Sequence, residues 1–216
     1  MGVFDTLRDV LGLSAEADAG RDADPEDLFG MSTAYLSMEA DLHFVPTGDA
    51  ALCFGNVDST AFEDARRQVE AVLELGEEET GTTASFIEDS HGYHWIVLHD
   101  RDFENLVTSI HFAADTLMEE GFGSRLLAAL FAFERDGTTA YWIYSFRRGA
   151  YYPFVPVGDR DRDERIEFKL ESNLSGELEV ASDTTYWYPM WPEGDTPPWG
   201  YDSWSSASFL SKPSVD

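Results

Sequence analysis

The sequence is poor in basic residues, and lysine is the scarcest of them. Among 216 residues there are 14 lysines and arginines against 42 aspartates and glutamates, and lysine occurs only as Lys169 and Lys212. The net charge of −28 opposes compaction in ordinary buffer, because like charges repel over a Debye length of about 10 Å. At molar salt that length falls to about 3 Å. The shortage of lysine therefore predicts a protein of a cell that keeps molar salt in its cytoplasm.

Other shortages exclude whole classes of protein. The few arginines cannot form a broad basic face, so nucleic-acid binding is not expected. Cys53 is the single cysteine, which excludes a disulfide framework and a thiolate metal cluster. No apolar run approaches the roughly 18 residues of a membrane-spanning helix, and no signal peptide opens the chain. We therefore predict a cytoplasmic protein, with peripheral contact at the inner face of the membrane left open.

What is present points to one folded domain with extensions at both ends. Aromatic residues make up 14% of the chain, which is too many for a disordered acidic protein. Four segments differ in composition. They are an amphipathic helix at 1–13, a flexible acidic linker at 14–27, a single α+β domain at 28–192 and a Trp/Pro/Ser-rich C-terminal extension at 193–216.

The domain shows three pairs of strand-like segments, each followed by a segment of about helix length. The first pair is 40–46 and 51–57, with a turn at Gly48-Asp49. The second is 82–88 and 93–99, and the third is 126–134 and 138–146, joined at Asp136-Gly137, a strong hairpin signal.

Three segments have helical spacing of apolar residues. One begins at a capping box formed by Thr60 and Glu63 and ends at Gly76. The second begins at Asp102 and ends at Gly121. The third, 161–174, fits a strand or a helix, and we interpret it as a helix. Together the segments predict an α+β, two-layer fold: a mostly antiparallel sheet from three hairpins, with helices packed on it.

No residue pattern indicates catalysis, a metal or a cofactor. His94 and His99 would point to opposite faces of one strand, whereas a metal needs converging ligands. Carboxylate pairs occur throughout the chain and read as acidic surface rather than as general acids and bases. Cys53 lies between Leu52 and Phe54 and is predicted to be a small core residue. We therefore predict a protein that is not an enzyme.

One segment could bind a partner. It contains two adjacent arginines followed by aromatic residues: Arg147, Arg148, Tyr151, Tyr152 and Phe154. An arginine fork suits a carboxylate or a phosphate, and tyrosines are favoured at interfaces. Two interpretations stay open. The segment forms a concave binding patch, or its arginines pair with nearby acids while its aromatic residues pack in the core.

The two ends of the chain are also candidates for contact with other molecules. In the first helix, Val3, Phe4, Leu7 and Leu11 share one apolar side, which could dock on a partner, on this protein's own domain or on a membrane surface. The aromatic C-terminal part, with Trp187, Trp191, Trp199 and Trp204, either packs back on the domain or meets a partner.

An ordered set of short motifs resembles the PspA-associated protein PspAB family, which occurs beside homologues of phage-shock protein A. The motifs that carry the resemblance are Gly2-Val3-Phe4-Asp5-Thr6-Leu7, Asp27-Leu28-Phe29, His91-Gly92-Tyr93-His94-Trp95, Gly121-Phe122-Gly123, Arg148-Gly149-Ala150-Tyr151-Tyr152-Pro153-Phe154 and Trp187-Tyr188-Pro189-Met190-Trp191. They span residues 2–191, and the residues after Pro192 read as an extension beyond the family pattern.

The resemblance implies a part in a PspA-like (phage-shock) membrane-stress response. It supplies no catalytic residues. The expected function is that of a non-enzymatic accessory protein in a salt-in halophile, with a PspA-like coiled-coil protein as partner. The alternative is a small-ligand or peptide-binding module of a chaperone-like kind. A pocket lined by Arg148 and Tyr152 would favour that alternative.

Overall fold

The structure, a computed structural model, describes residues 23–89, 91–158, 160–191 and 197–198. The predicted N-terminal helix and most of the predicted linker therefore lie outside the described residues, as does nearly all of the C-terminal extension. Residues 25–27, which the sequence analysis placed in the linker, belong to a 3-10 helix, Pro25–Gly30, capped by the side chain of Asp24.

Six antiparallel strands form one sheet in the order β2-β3-β1-β4-β5-β6. The strands are β1 (Val45–Gly55), β2 (Thr83–Glu88), β3 (Tyr93–His99), β4 (Leu126–Arg135), β5 (Thr138–Ser145) and β6 (Ala150–Phe154). A small separate hairpin pairs β7 (Pro156–Val157) with β8 (Asp161–Arg162). The long strand β1 lies between β3 and β4 in the sheet, although both of these strands come later in the chain.

The described part of the chain has four α-helices, and polar side chains cap three of them. The helices are α1 (Met31–Leu42), α2 (Thr60–Thr80), α3 (Phe103–Glu119) and α4 (Glu164–Leu174). Ser59, Asp102 and Asp163 each accept a hydrogen bond from a backbone N–H in the first turn of α2, α3 and α4. Shorter 3-10 helices lie at Gly123–Arg125 and Thr184–Tyr186.

Successive side chains along each strand point to opposite faces of the sheet. Both faces are buried, because other parts of the chain cover each of them. On one face Leu52, Ile96 and Trp142 pack with the four helices, forming the helix-side core. On the other face lies a second core, in which residues of the C-terminal segment join the sheet. Its fully or nearly buried members include Cys53, Trp95, Ile143, Tyr152, Phe154, Trp187 and Met190.

The predicted α+β fold with helices packed on an antiparallel sheet is confirmed, whereas the first predicted hairpin is wrong. Residues 40–42 end helix α1, and 45–55 form a single strand. His43 ends the helix in a left-handed conformation, at φ 59°. Gly48, expected to form the hairpin turn, has φ 90° within β1, where the pairing with β4 shifts between Pro46 and Ala50. It marks a β-bulge.

Other local predictions are confirmed, with two changes of boundary. Asp136 and Gly137 both have positive φ, as a tight hairpin requires, and residues 164–174 form a helix. The cap of α2 is Ser59 instead of Thr60. The same helix continues through Gly76 to Thr80 and ends where Gly81 adopts φ 83°.

Candidate functional site

The two adjacent arginines lie on the tight turn between β5 and β6. The backbone N–H groups of Arg148 and Gly149 both donate to the carbonyl of Ser145, at 3.0 and 2.9 Å. Gly149 has φ 58°, a conformation that glycine adopts without strain. The turn presents the side chains of Arg147 and Arg148 half-buried at the edge of the sheet.

Arg148 is held against the C-terminal segment. Its guanidinium carbon lies 3.5 Å from the ring centroid of Tyr186, a close cation–π contact. The side chain and backbone of Thr185 donate to Asp183 and lower the pKa of that carboxyl, and the charge of Arg148 lowers the pKa further. Arg148, Tyr186 and Asp183 therefore lie together. We call these three residues and Arg147 the arginine corner.

The three aromatic residues of the predicted patch are inside the protein instead. Tyr151 belongs to the helix-side core, whereas Tyr152 and Phe154 belong to the second core on the opposite face. Burial raises the pKa of both tyrosines. Since only 1% of Tyr152 is exposed, it cannot share a surface pocket with Arg148. A depression beside β8 is lined by Val157 and residues 161–165 and involves neither residue.

The structure thus separates the five predicted binding residues. Arg147 and Arg148 are half-buried on the turn, while Tyr151, Tyr152 and Phe154 are buried in strand β6, which follows the turn. Sequence reasoning missed Tyr186 and Asp183 as neighbours of Arg148, since 35 or more residues separate them along the chain. The many aromatic residues from Tyr186 onward were the available signal that this segment packs on the domain. The residues predicted for the first helix, Val3, Phe4, Leu7 and Leu11, lie outside the described residues.

A buried ion pair fastens the C-terminal segment near the arginine corner. Glu167 of α4 is 1% exposed and accepts two hydrogen bonds from Arg162 Nε, at 2.9 and 2.8 Å. It also accepts the backbone N–H of Val155 at 2.7 Å. Arg162 Nη1 donates to the carbonyl of Trp187 at 2.7 Å. This Arg162–Glu167 clasp therefore joins α4, β8 and the segment that covers the second face.

Burial has the largest effect on the pKa of Glu167, the carboxylate of the clasp. It raises that pKa above its ordinary value, although the hydrogen bonds from Arg162 and Val155 oppose the rise. Removing one partner of such a pair is costly, because the other charge is then left buried and unpaired. Neither Arg162 nor Glu167 stands out in the sequence, because eight of the nine residues 159–167 are acidic residues or arginines.

The histidines do not converge on a metal. His94 is buried on the helix side, stacked on Phe54 at 5.6 Å between ring centroids, while His99 lies at the surface and pairs with Asp49 at 2.9 Å. Within the described residues, no three His, Cys, Asp or Glu side chains are grouped to hold a metal ion. Cys53 is buried in the second core, and burial raises the pKa of its thiol. Among the helices that the structure describes, none has the length and apolarity to span a bilayer.

A family model with the description PspA associated protein B matches residues 1–199. The chain therefore belongs to that family, as the motifs predicted. The match continues past Pro192, so the family pattern extends further than the sequence analysis placed it. Neither the curated proteins nor the solved structures gave a match. The family's description names an association with PspA, which is consistent with an accessory role.

Proposed function

We propose that this chain is a non-enzymatic accessory protein that binds a PspA-type coiled-coil protein during membrane stress in a salt-rich cytoplasm. The observation that carries the proposal is membership of the PspA associated protein B family over nearly the whole chain. The arginine corner supports it, because a hydrogen-bonded turn that carries two arginines offers donors to an acidic partner surface.

The arginine corner is the contact that we assign to the partner. In a chain of net charge −28, Arg147 and Arg148 form one of two adjacent arginine pairs, and each pair locally reduces the repulsion that an acidic partner meets. The ring of Tyr186 orients Arg148, which lowers the entropy lost when a guanidinium binds a carboxylate. A helix that presents glutamates or aspartates would match this geometry.

High salt is part of the proposal. The surface of α2 shows how the acidic residues are arranged: Arg66 lies 3.6 Å from Glu63 and 3.9 Å from Glu70, and several further glutamates follow without a basic neighbour in sequence. Screening by molar salt reduces the repulsion among such carboxylates. Binding through the arginine corner therefore needs short-range hydrogen bonds and stacking, because long-range attraction is screened under the same conditions.

Co-purification in molar KCl tests the proposal. The full chain is expected to retain a PspA homologue, and the variant Arg147→Ala/Arg148→Ala is expected to lose at least tenfold of the retained protein. The chain offers a matched control in its other adjacent pair, Arg66-Arg67 on α2. If Arg66→Ala/Arg67→Ala reduces retention equally, or if no PspA homologue is retained, the assigned contact is wrong.

A further inference from the structure

An apolar surface lies beside the point at which the described chain begins. Phe112 is 50% exposed, although its neighbours on α3, His111 and Ala113, are buried. The His111 ring packs at a tilt against Phe29, with ring centroids 4.5 Å apart, and its centroid lies 5.6 Å from that of the Phe112 ring. Phe29 is itself partly exposed. We call Phe29, His111 and Phe112 the aromatic surface cluster.

The cluster has an unsatisfied polar group. His111 is 7% exposed, and its Nδ1 atom is buried with no hydrogen-bond partner among the described residues. Its Nε2 atom lies 3.8 Å from the carboxylate of Glu26, beyond hydrogen-bond distance. The exposed Phe112 ring lies beside this imidazole, and a segment packed on both would bury apolar area that now faces water.

The chain's own N-terminal segment can reach this surface. Phe29 lies in the 3-10 helix Pro25–Gly30, and the preceding residue Asp24 is fixed to the sheet, because Tyr144 Oη donates to its carbonyl at 3.3 Å and to Asp27 Oδ2 at 3.0 Å. Residues 14–23 separate this fixed point from the predicted amphipathic segment. A random coil of that length spans roughly 16–19 Å, and its fully extended limit is about 33 Å.

The Phe29 edge of the cluster is within that span. Phe29 follows Asp24 by five residues, which is a rise of about 10 Å along the 3-10 helix. A short tether of this kind gives an effective concentration in the millimolar range. A second copy of the chain would have to supply the same apolar segment at the far lower concentration of dilute protein.

We infer that residues 2–13 dock on the aromatic surface cluster of the same molecule. The apolar side formed by Val3, Phe4, Leu7 and Leu11 covers Phe112 and Phe29, as an amphipathic helix covers an apolar groove. Docking withdraws this apolar side from solvent and from membranes. Release of the segment then becomes a control point for its contact with a membrane or a partner. The docking itself does not depend on the identity of the partner.

Disulfide trapping in the full chain tests the inference. Leu7→Cys is combined with Thr108→Cys, which lies one turn before Phe112 on α3, and the control combines Leu7→Cys with Leu75→Cys on α2. Leu75 is 64% exposed, so its substitution leaves the fold intact. The native Cys53 is buried and does not compete. Oxidation of dilute protein in 2 M KCl is followed on non-reducing gels, where an internal link speeds migration.

We expect the disulfide of the Leu7→Cys/Thr108→Cys variant to form at least tenfold faster than the control disulfide, and within one molecule. Phe112→Asp, on an exposed position, should remove most of that advantage, and Phe4→Asp should do the same without altering the described domain. Equal rates for the two variants overturn the inference. Disulfides that form between molecules overturn it as well, because they assign the surface to a second copy.

Discussion

The Arg162–Glu167 clasp should be the most sensitive polar contact in the described domain. Replacing Arg162 with methionine keeps the aliphatic volume but removes both hydrogen bonds to Glu167 and the one to the Trp187 carbonyl. It leaves a carboxylate that is 1% exposed without its cationic partner. The second face of the sheet also loses one of the contacts that fasten its covering segment.

The expected cost follows from what is left unpaired. Breaking a buried ion pair by removing one partner costs about 3–5 kcal/mol, so Arg162→Met should lower the free energy of unfolding by that amount. Glu167→Gln keeps an oxygen that accepts the N–H of Val155, and we expect a smaller loss of about 1–3 kcal/mol. The exposed pair of Arg165 with Asp163, at 3.7 Å, is the control. Arg165→Met should cost less than about 1 kcal/mol.

Urea unfolding in 2 M KCl, followed by tryptophan fluorescence, measures these differences. The pH dependence separates the ion pair from simple packing. Burial already raises the pKa of Glu167, and removal of Arg162 raises it further. A group with a raised folded-state pKa contributes stability below its unfolded value, and that stability is lost as the pH rises through the folded value. The cost of Arg162→Met should therefore grow as the pH rises through the folded-state pKa of Glu167, which lies above the ordinary value of a glutamate. A cost that equals that of Arg165→Met, or that is independent of pH, refutes the reasoning.

Three further predictions concern charge, acid and the base of the N-terminal tether. Raising KCl from 0.1 to 2 M should raise the midpoint of thermal unfolding by more than 10 °C, because the charge of −28 is then screened. Circular dichroism measures the midpoint, and a midpoint that does not change with salt contradicts the salt-rich setting. Burial, assisted by Arg66, lowers the pKa of His94, so stability should decline as pH falls below about 6.5, and His94→Phe should flatten that decline in urea titrations. An unchanged slope would assign the decline to other groups. Tyr144→Phe should cost about 1 kcal/mol in the same titrations, because Asp27 loses its hydrogen bond; no loss would mean that the tether's base is not fixed there.

Local signals in the sequence predicted an element correctly where a particular residue type fixes the backbone conformation. The cap at Asp102 and the apolar spacing after it define α3, and Asp136-Gly137 defines the β4–β5 turn. The same kind of signal misled at Gly48. A glycine with positive φ serves a hairpin turn or a bulge equally well, and only pairing with β4 decides between them.

The candidate site was predicted in part, because strand alternation was applied to histidines but not to tyrosines. Tyr151 and Tyr152 are neighbours in sequence and must point to opposite faces of β6, which places one in each core. Tyr186 could not be found as the partner of Arg148 from spacing, since the contact depends on the path of the C-terminal segment across the second face.

The arginine corner accounts for partner binding only if a PspA homologue binds there directly. The most direct test is a calorimetric titration of the full chain with a purified PspA homologue in 2 M KCl, repeated with Arg147→Ala/Arg148→Ala and with Arg66→Ala/Arg67→Ala. Saturable binding that weakens at least tenfold in the first variant and is retained in the second is the predicted result. Absence of binding, or equal affinity for all three proteins, contradicts the account.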